Sequence, residues 1–177
     1  ISYATSEKVL EEACSRIQGG SGFFVGPDLV VTNAHVVAGE SDTDVELADG
    51  RTLDADVVAF DPERDLAVLR TDGEAPALSL RDADTGDVGG VFGHPGGGGL
   101  EVSPFRVAEE ITAVGRDIYD QGSTSRDVLV LASDLAPGDS GSALVDPQGQ
   151  VVGVAFAVAP DKPGVAFRIL GPVAEAN

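Results

Sequence analysis

After residue 19 the chain is cut into short apolar runs by glycine, proline and aspartate, with a turn signal roughly every 8–12 residues. That spacing leaves no room for long core helices. The runs are "GSGFFVGPDLVVTNAHVVA", "DVELADGRTLDADVVAFD" and "DLAVLRTD", then "VGGVFGHPGG", "EVSPFRVAEEITAVGRDI", "DVLVLASD", "SGSALVDPQGQVVGVAFAV" and "GVAFRIL". Asp49-Gly50 reads as a two-residue hairpin turn and "DPQGQ" as another hairpin turn. The pattern predicts an all-β sandwich or barrel rather than βαβ units. Only the start differs. Within residues 5–18, "TSEKVLEEACSRIQ", Val9, Leu10, Ala13, Cys14 and Ile17 recur at helical spacing, with Ser6 as cap and Gly19-Gly20 as stop. One short amphipathic helix is expected there.

A chain of 177 residues buries a core sufficient for one domain built from two small halves. The expected organisation is a helical arm at 1–18, a first β half at 19–78, a connector at 79–88 and a second β half at 89–177. The Pro- and Asp-containing stretch "APALSLRDADTGD" announces that connector. Thirty acids stand against eleven bases, a formal net charge of −19. Nucleic acid and anionic membrane surfaces are therefore poor partners, because phosphate binding needs clustered Lys and Arg, whereas basic peptides are attracted. No run of about 18 apolar residues is present, so any membrane attachment is expected through segments outside this stretch. Cys14, the single cysteine, reads as a small buried hydrophobe on the helix, or as half of a disulfide whose partner lies elsewhere. "GHPGGGG" lacks both the spacing and the following helix of a nucleotide-binding loop. No cofactor and no metal are expected.

The search for a general base is short, because the chain has two histidines. His35 closes the apolar strand of "VVTNAHVV", where a strand rim can present it to a cleft. Its bland reading is a satisfied surface or core histidine. His94, in the glycine-rich loop, is the lesser candidate. Asp65 opens "DLAVL"; alone it is a turn or cap residue. Beside an imidazole, however, such a carboxylate accepts the Nδ1 proton and leaves Nε2 free to act as a base. Ser140 lies in "PGDSGS", where Gly138 and Gly141 permit backbone conformations closed to other residues. Consecutive amides of Gly138, Asp139 and Ser140 can then face one concavity and bind an oxyanion. Lipases and esterases share G-x-S-x-G, but they expect a strand-to-helix turn and the order Ser, Asp, His. Here an apolar strand, "ALV", follows, and the order is His, Asp, Ser.

Those three blocks together, "GSGFFVGPDLVVTNAHVV", "DLAVL" and "PGDSGSALVDPQGQVVGV", resemble the signature blocks of trypsin-like serine proteases, nearer to the bacterial HtrA/DegP branch. Within that branch the likeness is to mycobacterial periplasmic proteases of acid resistance, which N-terminal transmembrane helices tether. The resemblance spans about residues 19–170. It implies a chymotrypsin-like double β-barrel, here with a short N-terminal helix, in which His35 is base, Asp65 orienter and Ser140 nucleophile. It also implies a serine endopeptidase acting on peptide or protein substrates outside the cytoplasm. The nucleophile block departs from the HtrA form Asn-Ser-Gly-Gly and reads Asp139-Ser140-Gly141-Ser142, as in secreted trypsins. In trypsins that aspartate pairs with a new N-terminal isoleucine. Ile1 precedes a helix instead of the usual Ile-Val-Gly-Gly, so Asp139 is expected to act as a turn former.

By the same family pattern Asp134, six residues before the serine, lines the base of the S1 pocket. "DKPGVAF" resembles the trypsin pocket segment, with Gly164 keeping the pocket open. Asp134 would favour Arg or Lys at the cleaved position, whereas Phe156 and Val158 would favour an apolar one. Both preferences stand. A second functional reading is a latent or inactive protease-fold module that binds peptides in the manner of a chaperone.

Overall fold

The computed structural model describes residues 7–17, 20–39, 43–95, 98–116, 123–132, 135, 138–156 and 164–167. Helix α1, Glu7–Ala13, leads into β1, Cys14–Ile17. Then come β2, Gly20–Gly26, β3, Leu29–Thr32, and the one-turn helix α2, Ala34–Val37. Strands β4, Thr43–Leu47, β5, Thr52–Asp61, and β6, Leu66–Thr71, complete a closed barrel in the order β1-β2-β3-β6-β5-β4. A second closed barrel holds β7, Val88–Gly93, β8, Glu101–Arg116, and β9, Ser123–Ala132. It also holds β10, Ala143–Val145, β11, Val151–Phe156, and β12, Gly164–Phe167. Its order, β7-β8-β9-β12-β11-β10, repeats the topology of the first.

Three apolar clusters explain why the strands read as unbroken apolar runs. One cluster fills each barrel and a third fills the seam between them. Successive side chains of a strand point to opposite faces. Phe24 and Val30 therefore enter the first barrel while their neighbours Phe23 and Val31 enter the seam. In the second barrel Leu144 points inward and Ala143 and Val145 point to the seam. Strands buried on both faces have no polar side to show.

Three local expectations are corrected. The helix stops at Ala13, and Cys14–Ile17 is a strand. That strand pairs with both β2 and β4, so it closes the first barrel and satisfies two sheet edges that a longer helix would leave open. Cys14 accordingly sits on β1, buried in the seam, where burial above all, then Glu11, pushes its thiol pKa up to about 12. Asp49-Gly50 is not a two-residue turn. The Leu47 amide donates to the Arg51 carbonyl and the Gly50 amide to the Leu47 carbonyl, while Gly50 alone of the turn takes φ +90°. This is a three-residue loop with its left-handed position at glycine. Asp146 to Gln150 repeats it, with Gly149 at φ +82°. Finally, His35 lies on α2, two residues after the N-cap Asn33, and not at the end of a strand.

The connector is stitched to both barrels. Ala75 and Leu78 donate to the carbonyls of Pro27 and Phe24, and Ser79 and Arg81 bond to Val151 of β11. Arg81 Nε then donates to the fully buried carboxylate of Asp146 at 2.6 Å, and Nη1 donates to Asp87 at 3.0 Å. Asp146 Oδ1 accepts the amides of Gln148 and Gln150 as well. This clamp anchors the connector to the β10–β11 turn.

Candidate active site

β3 runs along the seam and ends at Thr32; the chain then turns at Asn33, which is extended at φ −76°, ψ 145°. The Asn33 side chain does not cap α2. Its Nδ2 instead donates to the backbone carbonyl of Asp65 at 3.0 Å, tying this corner to the β5–β6 turn. Asp65 is the described non-glycine residue with positive φ, +54°, a region that Asp and Asn tolerate better than other side chains. Held there, it is completely buried and turns both carboxylate oxygens toward α2. Oδ1 accepts the His35 backbone N–H at 2.8 Å and Oδ2 lies 2.7 Å from His35 Nδ1. An ionised carboxylate only accepts, so in the neutral ring Nδ1 carries the proton and Nε2 keeps its lone pair. The Phe156 ring stands edge-on to the imidazole, centroids 5.1 Å apart and planes at 77°. The His35 side chain remains about a third exposed, open to an incoming molecule.

Ser140 is nearly buried in a loop pinned by main-chain bonds on two sides. Its carbonyl accepts the Ser21 amide of β2 at 2.8 Å, and the next amide, Gly141, donates to Ala155 of β11 at 2.9 Å. The Ser142 amide donates to the Asp139 carbonyl at 3.0 Å, closing the turn. Gly138 and Gly141 take φ +97° and +91°, so the loop needs glycine at both. At Gly141 space demands it too: a Cβ there would run into the Ser21 carbonyl and stand 2.6 Å from Thr32 Oγ1. At Gly20 a Cβ would stand 2.7 Å from Val36 Cγ2 and 2.8 Å from the Ser140 carbonyl. The helix that carries His35 and the loop that carries Ser140 thus meet at one glycine of β2.

The structure therefore brings Asp65 onto His35, and Ser140 to the same end of the seam. Phe156 borders the cleft at His35, and Gly164 opens β12 opposite Leu131 of β9. Asp134, Val158 and Ile1 lie outside the described residues. Asp139 is buried, its carboxylate lying where a Cβ on Gly93 would fall. His94 is buried in a different setting: its amide donates to Ser21 Oγ at 3.2 Å, and its Nδ1 lies 3.1 Å from the Gly98 carbonyl. Sequence reasoning missed Ser21, Thr32 and Asn33, which hold this arrangement from behind. Among the described residues no group of three His, Cys, Asp or Glu is placed to hold a metal ion, and no helix is long and apolar enough to cross a membrane.

Known proteins share this fold. Residues 20–154 match the family described as trypsin-like peptidase domain. The serine protease Rv3671c of Mycobacterium tuberculosis is 40% identical over 162 residues, which is 89% of this chain and 41% of that protein. A probable periplasmic serine endoprotease, DegP-like, of Halomonas elongata is 35% identical over 142 residues, 76% of this chain and 28% of that protein. The chain spans less than half the length of these relatives. The active form of the Rv3671c protease superposes with a TM-score of 0.86 at 37% identity, covering 96% of this chain and 81% of that one. An inactive form superposes at 0.82 and 38% identity, covering 96% and 89%. The HtrA-type protease AlgW with a decapeptide gives 0.81 at 26% identity, covering 99% and 66%.

Proposed function

The chain belongs to the trypsin-like peptidase family, among its HtrA-like serine proteases, and we propose that it is a serine endopeptidase working through His35, Asp65 and Ser140. The observation that carries this reading is the two-point grip of buried Asp65 on His35, through Nδ1 and the backbone amide together. It leaves one ring nitrogen, Nε2, as a base of fixed direction. Ser140 Oγ attacks the peptide carbonyl carbon while Nε2 takes its proton. Asp65 stabilises the imidazolium that forms. The amides of Gly138, Asp139 and Ser140 receive the oxyanion. Nε2 then protonates the departing amine, and water clears the acyl-enzyme by the same route in reverse.

Peptides are the substrates this reading requires, in keeping with the decapeptide of AlgW. Phe156 against His35 favours an apolar side chain at the cleaved position, and Asp134 favours Arg or Lys. A panel of fluorogenic peptides separates them: equal turnover of Arg, Lys, Leu and Phe substrates removes the role of Asp134. A cell-envelope location, with attachment through segments outside this stretch and a part in envelope stress or acid resistance, accompanies the reading. The periplasmic name of the DegP-like relative supports the location.

Peptide hydrolysis by the protein and by Ser140→Ala tests the assignment. Cleavage is expected from the first and none above background from the second. Activity that survives the substitution would overturn it. Folded protein that binds peptides without cleaving them would return the latent or inactive module.

A further inference from the structure

We propose that Ser21 is a positioning residue for the reaction, holding the nucleophile loop in its oxyanion-binding form; this rests on the reading of Ser140 given above. Ser21 lies on β2 in the first barrel, fully buried, and does not touch the reacting atoms. Every polar group it has is engaged. Its amide donates to the Ser140 carbonyl at 2.8 Å, and its hydroxyl donates to the Gly138 carbonyl at 2.8 Å. The same hydroxyl oxygen accepts the His94 amide at 3.2 Å, and the Ser21 carbonyl accepts the Thr32 hydroxyl at 2.7 Å. One residue of the first barrel thus grips the loop of the second at two carbonyls, two residues apart.

The consequence follows from peptide planarity. In a trans peptide the C=O and the N–H of one plane point in opposite directions. Fixing the Gly138 carbonyl toward Ser21 turns the Asp139 amide away from Ser21. Fixing the Ser140 carbonyl toward Ser21 turns the Gly141 amide away, and that amide indeed meets the Ala155 carbonyl at 2.9 Å. The plane between them, which carries the Ser140 amide, is held from both ends. Gly138 is the weak point, because a glycine at φ +97° has other conformations open to it at little steric cost. The Ser21 hydroxyl is the side-chain group that holds its carbonyl against such a flip. Without that hydroxyl the Gly138–Asp139 peptide is free to rotate, and the oxyanion amides lose their common direction while His35 and Asp65 stay in place.

The test is Ser21→Ala, with Ser21→Cys as a second variant of similar shape whose thiol is a weak donor. Removal of one oxyanion donor costs about 100- to 1,000-fold in turnover. A loosened loop is expected to cost about 10- to 100-fold in kcat on a fluorogenic peptide. KM is expected to stay within about twofold, and the pH midpoint to stay put because His35 and Asp65 make no bond to the hydroxyl. Inhibition by a peptide aldehyde, which needs the oxyanion site, is expected to weaken by the same factor as kcat. A kcat within twofold of the unsubstituted protein in either folded variant would overturn the proposal. Loss of the fold in both variants would also overturn it, since Ser21 would then be a folding residue. Unsubstituted protein that cleaves, beside a fully active Ser21→Ala, refutes Ser21 alone; unsubstituted protein that cannot cleave refutes the endopeptidase and Ser21 together.

Discussion

Asp65→Asn separates an orienting carboxylate from an ordinary hydrogen-bonded one. Asparagine keeps the size of the side chain and tolerates the positive φ of 54° at this position, so the β5–β6 turn survives. What changes is the pair of acceptors, at 2.8 Å from the His35 amide and 2.7 Å from Nδ1. Asparagine has one acceptor oxygen. Placed on the backbone amide, it presents its NH2 to Nδ1, which must then accept, and the ring proton moves to Nε2. The base is lost although the geometry is kept. Such a tautomer error costs a serine protease about 10⁴-fold in turnover when the orienting Asp becomes Asn. At about 1.36 kcal/mol per tenfold, this is about 5.4 kcal/mol of transition-state stabilisation. Loss of one ordinary hydrogen bond, at about 0.5–1.5 kcal/mol, would lower the rate only about tenfold. Steady-state kinetics on a fluorogenic peptide distinguish the two, with thermal unfolding as control. At this size about 1 kcal/mol of stability corresponds to roughly 2–4 °C, so a small shift certifies the fold. A loss of tenfold or less in folded Asp65→Asn would refute the orienting role.

Other substitutions probe the scaffold and its pH response. Gly141→Ala forces a Cβ into a left-handed position beside the Ser21 carbonyl and Thr32 Oγ1, and should cost about 2–5 kcal/mol, read as a lowered urea midpoint. Asp146→Ala removes the buried partner of Arg81 and of two backbone amides. It should destabilise by about 3–5 kcal/mol by the same measurement; a change under about 1 kcal/mol would show that the connector clamp is idle. His94 is held below the ordinary histidine range by burial first and by Arg16, against the Gly98 carbonyl and Glu46. The unfolded chain therefore takes up this proton first as pH falls. Its contribution to stability is complete above the unfolded value and is lost as pH drops through the ordinary imidazole range toward the folded value. Urea midpoints of His94→Gln should fall less over that window than those of the unsubstituted protein, and parallel curves would contradict the assignment.

Much of the fold was legible because turn residues punctuate it so regularly. Every strand of the second half overlaps a run read from the sequence, although β9 begins at Ser123, four residues before "DVLVLASD". The errors arose where tertiary pairing outweighed local pattern. Cys14 to Ile17 carry helical spacing, yet the open edges of β2 and β4 draw them into a strand. Asp49-Gly50 looks like a two-residue turn, and only the bond from the Leu47 amide to Arg51 shows that Ala48 belongs to the loop. The repeated topology of the two barrels left no trace as a repeat in the sequence, because different residues fill equivalent positions. At the site, His35, Asp65 and Ser140 stood out through residue type, neighbours and order. Ser21 did not. A serine between two glycines carries no sign that it will face a loop more than a hundred residues away, since that contact depends on how two barrels dock.

The central claim is that Ser140 is a nucleophile activated by His35, and covalent labelling tests it most directly. A fluorophosphonate should add once to the folded protein, with peptide mapping by mass spectrometry placing the adduct on Ser140. Labelling should vanish in Ser140→Ala and slow severely in His35→Ala. An adduct that persists in Ser140→Ala, or folded protein that takes no label at all, would contradict the account.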